Sequence, residues 1–311
     1  MQCCRLLAGE LQTLSEDNLN EASERAKHDI HLIHEWHRKQ PHLNFPIDDQ
    51  LILSFLRCTK FSIERTKQKI DNYYTMRTLV PEILCNRDPF SAEIQAVLSA
   101  GVVLPLPNRD EDGCKIILCN YRSNLNANTM HCSIIVKVIC MVLDILLRED
   151  DDVVVNGLKT WAECKGCPSE FSKQVTPSFL KKATCVTENG FPFRVQGIYT
   201  KNCPALLEFI YNIVKVFFSK KLTNRTFLYS EYNLHQFYTK IPQISLPEEF
   251  GGQNGSVKEL TSIWKKKVES YRDFFIEEEQ RKSNEKLRQC QQILDSDVFG
   301  VEGSFRKLDI D

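Results

Sequence analysis

The chain has 311 residues, 42% of them hydrophobic and 26% charged, with a formal net charge of −1. That length holds one large domain with a smaller companion, or two of similar size, and the composition is that of a globular protein. With 40 Lys and Arg against 41 Asp and Glu, the broad basic excess of a nucleic-acid binder is missing.

The opening stretch MQCCRLLAGELQTLSED has no long apolar core, so no signal peptide is expected. Gln2 excludes myristoylation, and Cys3 and Cys4 read as part of a plain tail. The longest apolar run, Ile134–Leu147, carries Lys137 and Asp144 on one stripe and falls short of the ~20 residues a span needs. It reads as a buried helix. Thirteen irregularly spaced cysteines without a secretion signal point to reduced thiols in a cytoplasmic protein. The sequons at Asn224 and Asn254 are then expected to stay bare.

Residues 16 to 39 read as a helix capped by Ser15, with Leu19, Ala22, Ala26, Ile30, Ile33 and Trp36 at helical spacing. After QPHLNFP, Asp48-Asp49 open a second helix, and Ser62 caps a third that stops before Pro81. Residues 16–82 thus form a small helical module. Four strands are expected further on, at Cys114–Asn120, in VVVNGLKTWAE, in FRVQGIY (193–199) and in TFLYS. Between them lie the helix 131–148, a helix capped by Thr176 with Pro177 at its first position, and a helix of about five turns after Pro204. Strands alternating with helices argue for an α/β fold with a largely parallel sheet. A short helix near 233–240 precedes IPQISLPEEFGG, and a charged helix is expected over 257–290.

The helix after Pro204 is unusually apolar. At ~100° per residue, Leu206, Phe209, Ile210, Ile213 and Phe217 share one face, while Leu207, Val214 and Phe218 lie on a second. The apolar arc covers roughly 220°, against the ~100° stripe of an ordinary surface helix. Arg194, Lys201, Lys215, Lys220, Lys221 and Arg225 surround it, with Glu208 the one acid among them. Apolar surface beside positive charge points to an anionic membrane surface.

Rival chemistries find little support. Cys164-Lys165-Gly166-Cys167 has the CxxC form, but it follows a strand rather than opening a helix, and no second ligand pair follows. It reads as surface thiols. His28, His31, His34 and His37 recur every third residue and drift around a solvated helix. No metal site, Walker loop, GxGxxG after a strand or GxSxG is present, so no enzyme is expected.

Asp48-Asp49-Gln50 with LILSFLR, Lys60-Phe61-Ser62 and Tyr73-Tyr74 resemble the helical N-terminal module of the CRAL-TRIO lipid-binding family. Thr176-Pro177-Ser178 with Lys181-Lys182, FPFRVQGI from Phe191 to Ile198, and LPEEFGG from Leu246 to Gly252 resemble its central and closing signatures. The match spans roughly residues 25–265 and is similar to the branch containing the tocopherol and retinaldehyde transfer proteins. The resemblance implies a helical module over 16–82 and a lipid-binding α/β domain over 90–253. A charged helix over 254–290 and a loose tail over 291–311 follow in this reading. The implied domain has a mixed sheet flooring an apolar cavity, with Pro204–Phe218 as a gate helix.

The implied ligand is a bound hydrophobic lipid, with no cofactor. The expected partners are that lipid and a phosphoinositide-bearing membrane, met transiently by a monomer. Leu158, Val186, Phe191, Phe193, Val195 and Ile198 match pocket positions, and helical facing adds Phe179, Phe209 and Ile213. Arg194, Lys221 and Arg225 match a phosphoinositide patch, Gln196 stands where the relative has an arginine, and Lys215 is a local addition. Lys137, Lys159, Thr160 and Trp161 depart from the relatives and are expected to reshape the cavity.

Overall fold

The computed structural model describes residues 4–289, apart from residues 6, 8, 123, 124, 127 and 128. The expected tail at 291–311 and Cys3 lie outside the described residues. Asn20 divides the first expected helix: its backbone is left-handed (φ 63°), which ends a helix. The chain therefore forms α1 (Gly9–Leu19) and α2 (Ser23–His37), and Ser15 sits inside α1 instead of capping. Beside the break, the buried Glu21 accepts from Arg57 Nε and Nη2, both at 2.9 Å. The fork fixes α3 (Asp49–Cys58) against the turn. Asp48 caps α3 by accepting from the Leu51 amide at 2.7 Å. Helices α4 (Ile63–Leu79), α5 (Pro81–Leu84) and α6 (Ala92–Ser99) complete the helical N-terminal region.

Five strands follow, not four: β1 (Val103–Arg109), β2 (Lys115–Asn120), β3 (Leu158–Glu163), β4 (Val195–Lys201) and β5 (Thr226–Tyr229). They lie in numerical order, with β1 antiparallel to β2 and the other neighbours parallel. Pro105 and Pro107 hide β1 from a sequence reading, but it is an edge strand, where proline is tolerated.

The crossovers are α7 (Cys132–Glu149) with α8 (Asp151–Asn156), then α9 (Ser169–Gln174) with α10 (Pro177–Gly190), then α11 (Ala205–Val214) with α12 (Lys220–Thr223). The expected strand VVVNGLKTWAE is thus half helix. Asp150 accepts from the Val153 amide at 3.3 Å and caps α8. Gly157 (φ 90°) then makes the turn into β3, where an added Cβ would lie 2.3 Å from the Arg194 carbonyl oxygen. Past the sheet come α13 (Leu234–Tyr238), α14 (Val257–Ser270) and α15 (Arg272–Glu278). The long terminal helix expected over 257–290 breaks at Tyr271, and the chain after α15 lies along the N-terminal helices. There Arg288 pairs with Asp71 at 2.7 Å.

Strand alternation divides the core. Ile117, Leu158 and Val186 belong to one cluster, which runs from Ala26 to Phe275. Ile116, Leu118, Trp161, Tyr199, Phe237 and Leu246 form a second on the other sheet face. The closing signature is a turn built around the second cluster. Gly251 is left-handed, and a Cβ at Gly252 would lie 1.9 Å from the Leu246 carbonyl oxygen. Asn254, 1% exposed, accepts from the Asn108 amide at 3.0 Å and donates to Ser245 O at 2.9 Å. Its sequon is sealed by packing.

Candidate functional site

Two concave features lie at opposite ends of the parallel strands. The first is an apolar cavity of about 190 Å³ beyond the carboxyl ends of β2, β3 and β4. Ligand crevices in parallel sheets open at that end. Ala162 and Thr200 floor it, Ile135 and Val136 come from α7, Phe171 from α9, and Phe179 and Ala183 from α10. Pro204 and Leu207, at the start of α11, close it.

Three of the four expected disturbances of this cavity turn elsewhere; Thr160, half-buried on the sheet face of Leu158 and Ala162, is not among the residues that line it. Lys137 Nζ donates to the Cys85 and Asn86 carbonyls at 2.6 and 3.3 Å. Lys159 points to the other sheet face and pairs with Asp110 and Asp112 at 2.6 and 2.9 Å. Trp161 belongs to that face's cluster as well. Cys164 and Cys167 are not surface thiols: both line the cavity, and burial raises both above the ordinary thiol range. No group of three or more metal-ligating side chains occurs among the described residues.

The second feature is a polar cleft of about 560 Å³ at the amino ends of β4 and β5. Arg194 precedes β4, Arg225 precedes β5, Lys221 lies on α12, and Arg65 and Lys69 reach in from α4. Five cations thus face Glu188, the one carboxylate among the described lining residues. Burial lowers the pKa of Lys69, Arg194 and Lys221, and Arg225 adds to the effect at Lys221. Arg194 Nε is buried with no hydrogen-bond partner among the described residues. Crowded, desolvated cations with a free donor are what a multivalent anion stabilises.

Helix α11 joins the two. Leu207 faces the cavity, and Ile210 and Val214 are buried. Leu206, Phe209 and Ile213 are exposed, and Val216 and Phe217 beyond them are 74% and 64% exposed. The expected five-turn helix is interrupted: α11 gives way to a 3₁₀ turn at Lys215–Phe217, and Ser219 caps α12. The Lys181 ammonium lies 4.7 Å from the Phe217 ring centroid.

Of the expected lipid-contacting side chains, Phe179 lines the cavity. Leu158, Val186, Phe191 and Phe193 lie in the adjoining core, and Phe193 with Val195 also borders the cleft. Ile198 is half-buried on β4. Phe209 and Ile213 point outward, contrary to the helical-facing expectation, and Pro204 and Leu207 take the lining positions. Of the expected anion contacts, Arg194, Lys221 and Arg225 converge in the cleft. Gln196 instead donates to Asn156 O at 3.2 Å, and Lys215 donates to Asn212 at 2.8 Å outside it. Arg65 and Lys69 are additions that the sequence reading misses. Their i,i+4 spacing puts them on one face of α4, but nothing local says what that face meets.

The family description "CRAL/TRIO domain" matches residues 100–252. This chain carries a CRAL/TRIO domain. Residues 22–94, ahead of it, match "Pinta-like, UBA domain". Human alpha-tocopherol transfer protein-like is 29% identical over 273 residues, covering 88% of this chain and 78% of that protein. Clavesin-1 of Xenopus laevis is 29% identical over 235 residues, covering 75% and 70%. The crystal structure of Sfh5 aligns with a TM-score of 0.46 at 13% identity, covering 82% of this chain and 92% of that one. The CRAL/TRIO domain places the chain among lipid-binding and lipid-transfer proteins. No helix of the described residues is long and apolar enough to cross a membrane.

Proposed function

We propose that this protein holds an apolar lipid beneath α11 and exchanges it with membranes bearing polyphosphorylated headgroups, which dock in the basic cleft. The observation that carries the reading is the position of α11. Its inner side closes an apolar cavity, its outer side exposes Leu206, Phe209 and Ile213, and the chain after it enters a cleft of five cations. A helix with two apolar sides is stable against cargo on one and acyl chains on the other.

The energetics fit exchange. Burying a C16-sized chain at ~0.8 kcal/mol per CH₂ gives roughly 12 kcal/mol gross, and moving it between two apolar phases is nearly neutral. The helix then governs rate more than equilibrium. The cavity, about 190 Å³, is below the ~300 Å³ at which ligand pockets begin. Loading therefore requires α11 to swing outward as a gate. Native mass spectrometry of the protein purified from its own source should find stoichiometric lipid, and that lipid should move between vesicles. A protein that purifies without lipid and moves none between vesicles would sink this reading.

The sizes also favour a second reading. The cleft, about 560 Å³, is far larger than the cavity of about 190 Å³, as suits a headgroup-binding adaptor without cargo. Tight phosphoinositide binding by a lipid-free protein would select it.

A further inference from the structure

Glu188 sits where the cleft and the gate meet. It belongs to the last turn of α10, its carboxylate lines the cleft, and it accepts the Ser219 hydroxyl hydrogen. Ser219 is the residue at which the chain leaves the gate and caps α12, its Oγ accepting from the Leu222 amide at 3.1 Å. Lys69 donates to the Glu188 carbonyl oxygen, so this turn of α10 is tied to α4 as well. The negative charge of Glu188 acts on both Lys69 and Lys221. Nothing else of that sign lines the described cleft.

We infer that Glu188 is a built-in competitor for the anion and the latch of the closed gate, given the reading of the cleft as a phosphate-binding site. A multivalent phosphate entering among Arg65, Lys69, Arg194, Lys221 and Arg225 meets the Glu188 carboxylate with like charge. Two anions cannot share those cations at close range without loss, so the carboxylate turns away. Ser219 then loses its acceptor. The exit of the gate keeps its Lys181–Phe217 contact with α10 but loses this hydrogen bond. Anion binding and gate release become one event because one carboxylate serves both. Linkage makes the coupling reciprocal: opening the gate frees the cations of their internal counter-ion and raises the cleft's affinity.

The test separates charge from hydrogen bond. Glu188→Gln removes the charge but keeps an amide oxygen that accepts from Ser219, whereas Glu188→Ala removes both. Affinity is measured by calorimetry with inositol trisphosphate, and by sedimentation with phosphatidylcholine vesicles with or without phosphatidylinositol bisphosphate. Gate opening is read as amide hydrogen exchange across residues 205–214, which do not line the cleft.

Both variants should bind the anion roughly threefold tighter, the scale of one partly exposed charge interaction. Only Glu188→Ala should show fast exchange in 205–214 before any anion is added; the wild type should need the anion, and Glu188→Gln, which keeps the hydrogen bond without the repulsion, should stay slow with the anion bound. Acceleration by trisphosphate alone supports the latch with the headgroup sufficient. Acceleration by the bisphosphate vesicles only supports it with a membrane lipid as the source. Anion binding by the wild type with unchanged exchange in 205–214, or equal acceleration in Glu188→Gln, overturns the latch and leaves the cleft's function intact. No binding of trisphosphate or bisphosphate vesicles to wild type or Glu188→Gln overturns both.

Discussion

The Tyr73 hydroxyl on α4 donates to Asp144 Oδ1 on α7 at 2.8 Å, between residues 3% and 1% exposed. Arg87 donates to the other carboxylate oxygen. The Arg77 guanidinium lies 3.7 Å from both Asp144 and Glu278 and 3.8 Å from the Tyr73 ring centroid. Helices α4, α7 and α15 therefore meet at one buried charge cluster, which ties the N-terminal helices to the sheet. Asp144→Ala leaves two buried arginines short of a counter-ion, so about 3–5 kcal/mol of stability should be lost. Tyr73→Phe removes one donor and should cost about 1–3 kcal/mol. Urea midpoints at neutral pH check both, and a loss below about 1 kcal/mol for Asp144→Ala would remove the cluster as the tie.

Lys137 and Asp144 are visible in the sequence as one polar stripe on an apolar helix. What the stripe is for is not, because its partners come from residues 73–87. The same limit applies to the site. Arg194, Lys221 and Arg225 are legible because they stand in one basic stretch of sequence around the gate and match patch positions of the family that the chain resembles. Arg65 and Lys69 come from a helix packed on α10 through tertiary contacts that no local pattern encodes. The gate's orientation is ambiguous for a different reason. An apolar arc of roughly 220° leaves hydrophobic residues on both sides whichever way the helix turns, so the sequence cannot tell Phe209 and Ile213 from Leu207. At β1, Pro105 and Pro107 mask a strand that survives because it lies at the sheet edge.

Arg194→Ala combined with Lys221→Ala should cut binding to phosphatidylinositol bisphosphate vesicles by about tenfold or more, since one charge-assisted hydrogen bond contributes roughly 1.5–3 kcal/mol. Gln196→Ala, whose side chain is spent on Asn156 O, should change it by less than about twofold. Vesicle sedimentation across a range of salt concentrations checks both. Equal behaviour of the two variants would dissolve the cleft as a headgroup site.

Cavity and gate can be separated by placing bulk inside and charge outside. Ala183→Phe projects a ring into a space of about 190 Å³ and should abolish lipid retention while vesicle binding persists. Phe209→Asp alters a side chain that is 63% exposed. It should leave the melting temperature within a few degrees, since exposed positions change stability by about 0.5 kcal/mol or less. Transfer between vesicles should slow several-fold, because a carboxylate must then enter the membrane interface. Phe218 is a poorer probe, being half-buried against Tyr211 at a ring distance of 6.2 Å. An unchanged transfer rate for Phe209→Asp would count against membrane entry of this face.

His37 gives the helical region a pH dependence of its own. The ring is 8% exposed, its Nε2 has no hydrogen-bond partner among the described residues, and Phe45 lies 5.8 Å away. Burial first, then the neighbouring His34 and His42, pushes its pKa from 6.5 down to about 4. The folded protein thus holds the imidazole neutral at pH values where the unfolded chain would protonate it. Unfolding takes up a proton between those two values, so stability falls as pH drops from 6.5 towards about 4 and this contribution levels off below. His37→Phe has no such group. Its urea midpoint should fall less steeply than that of the wild type between neutral and mildly acidic pH. Parallel profiles for the two proteins would mean that His37 is protonated at no cost in the fold.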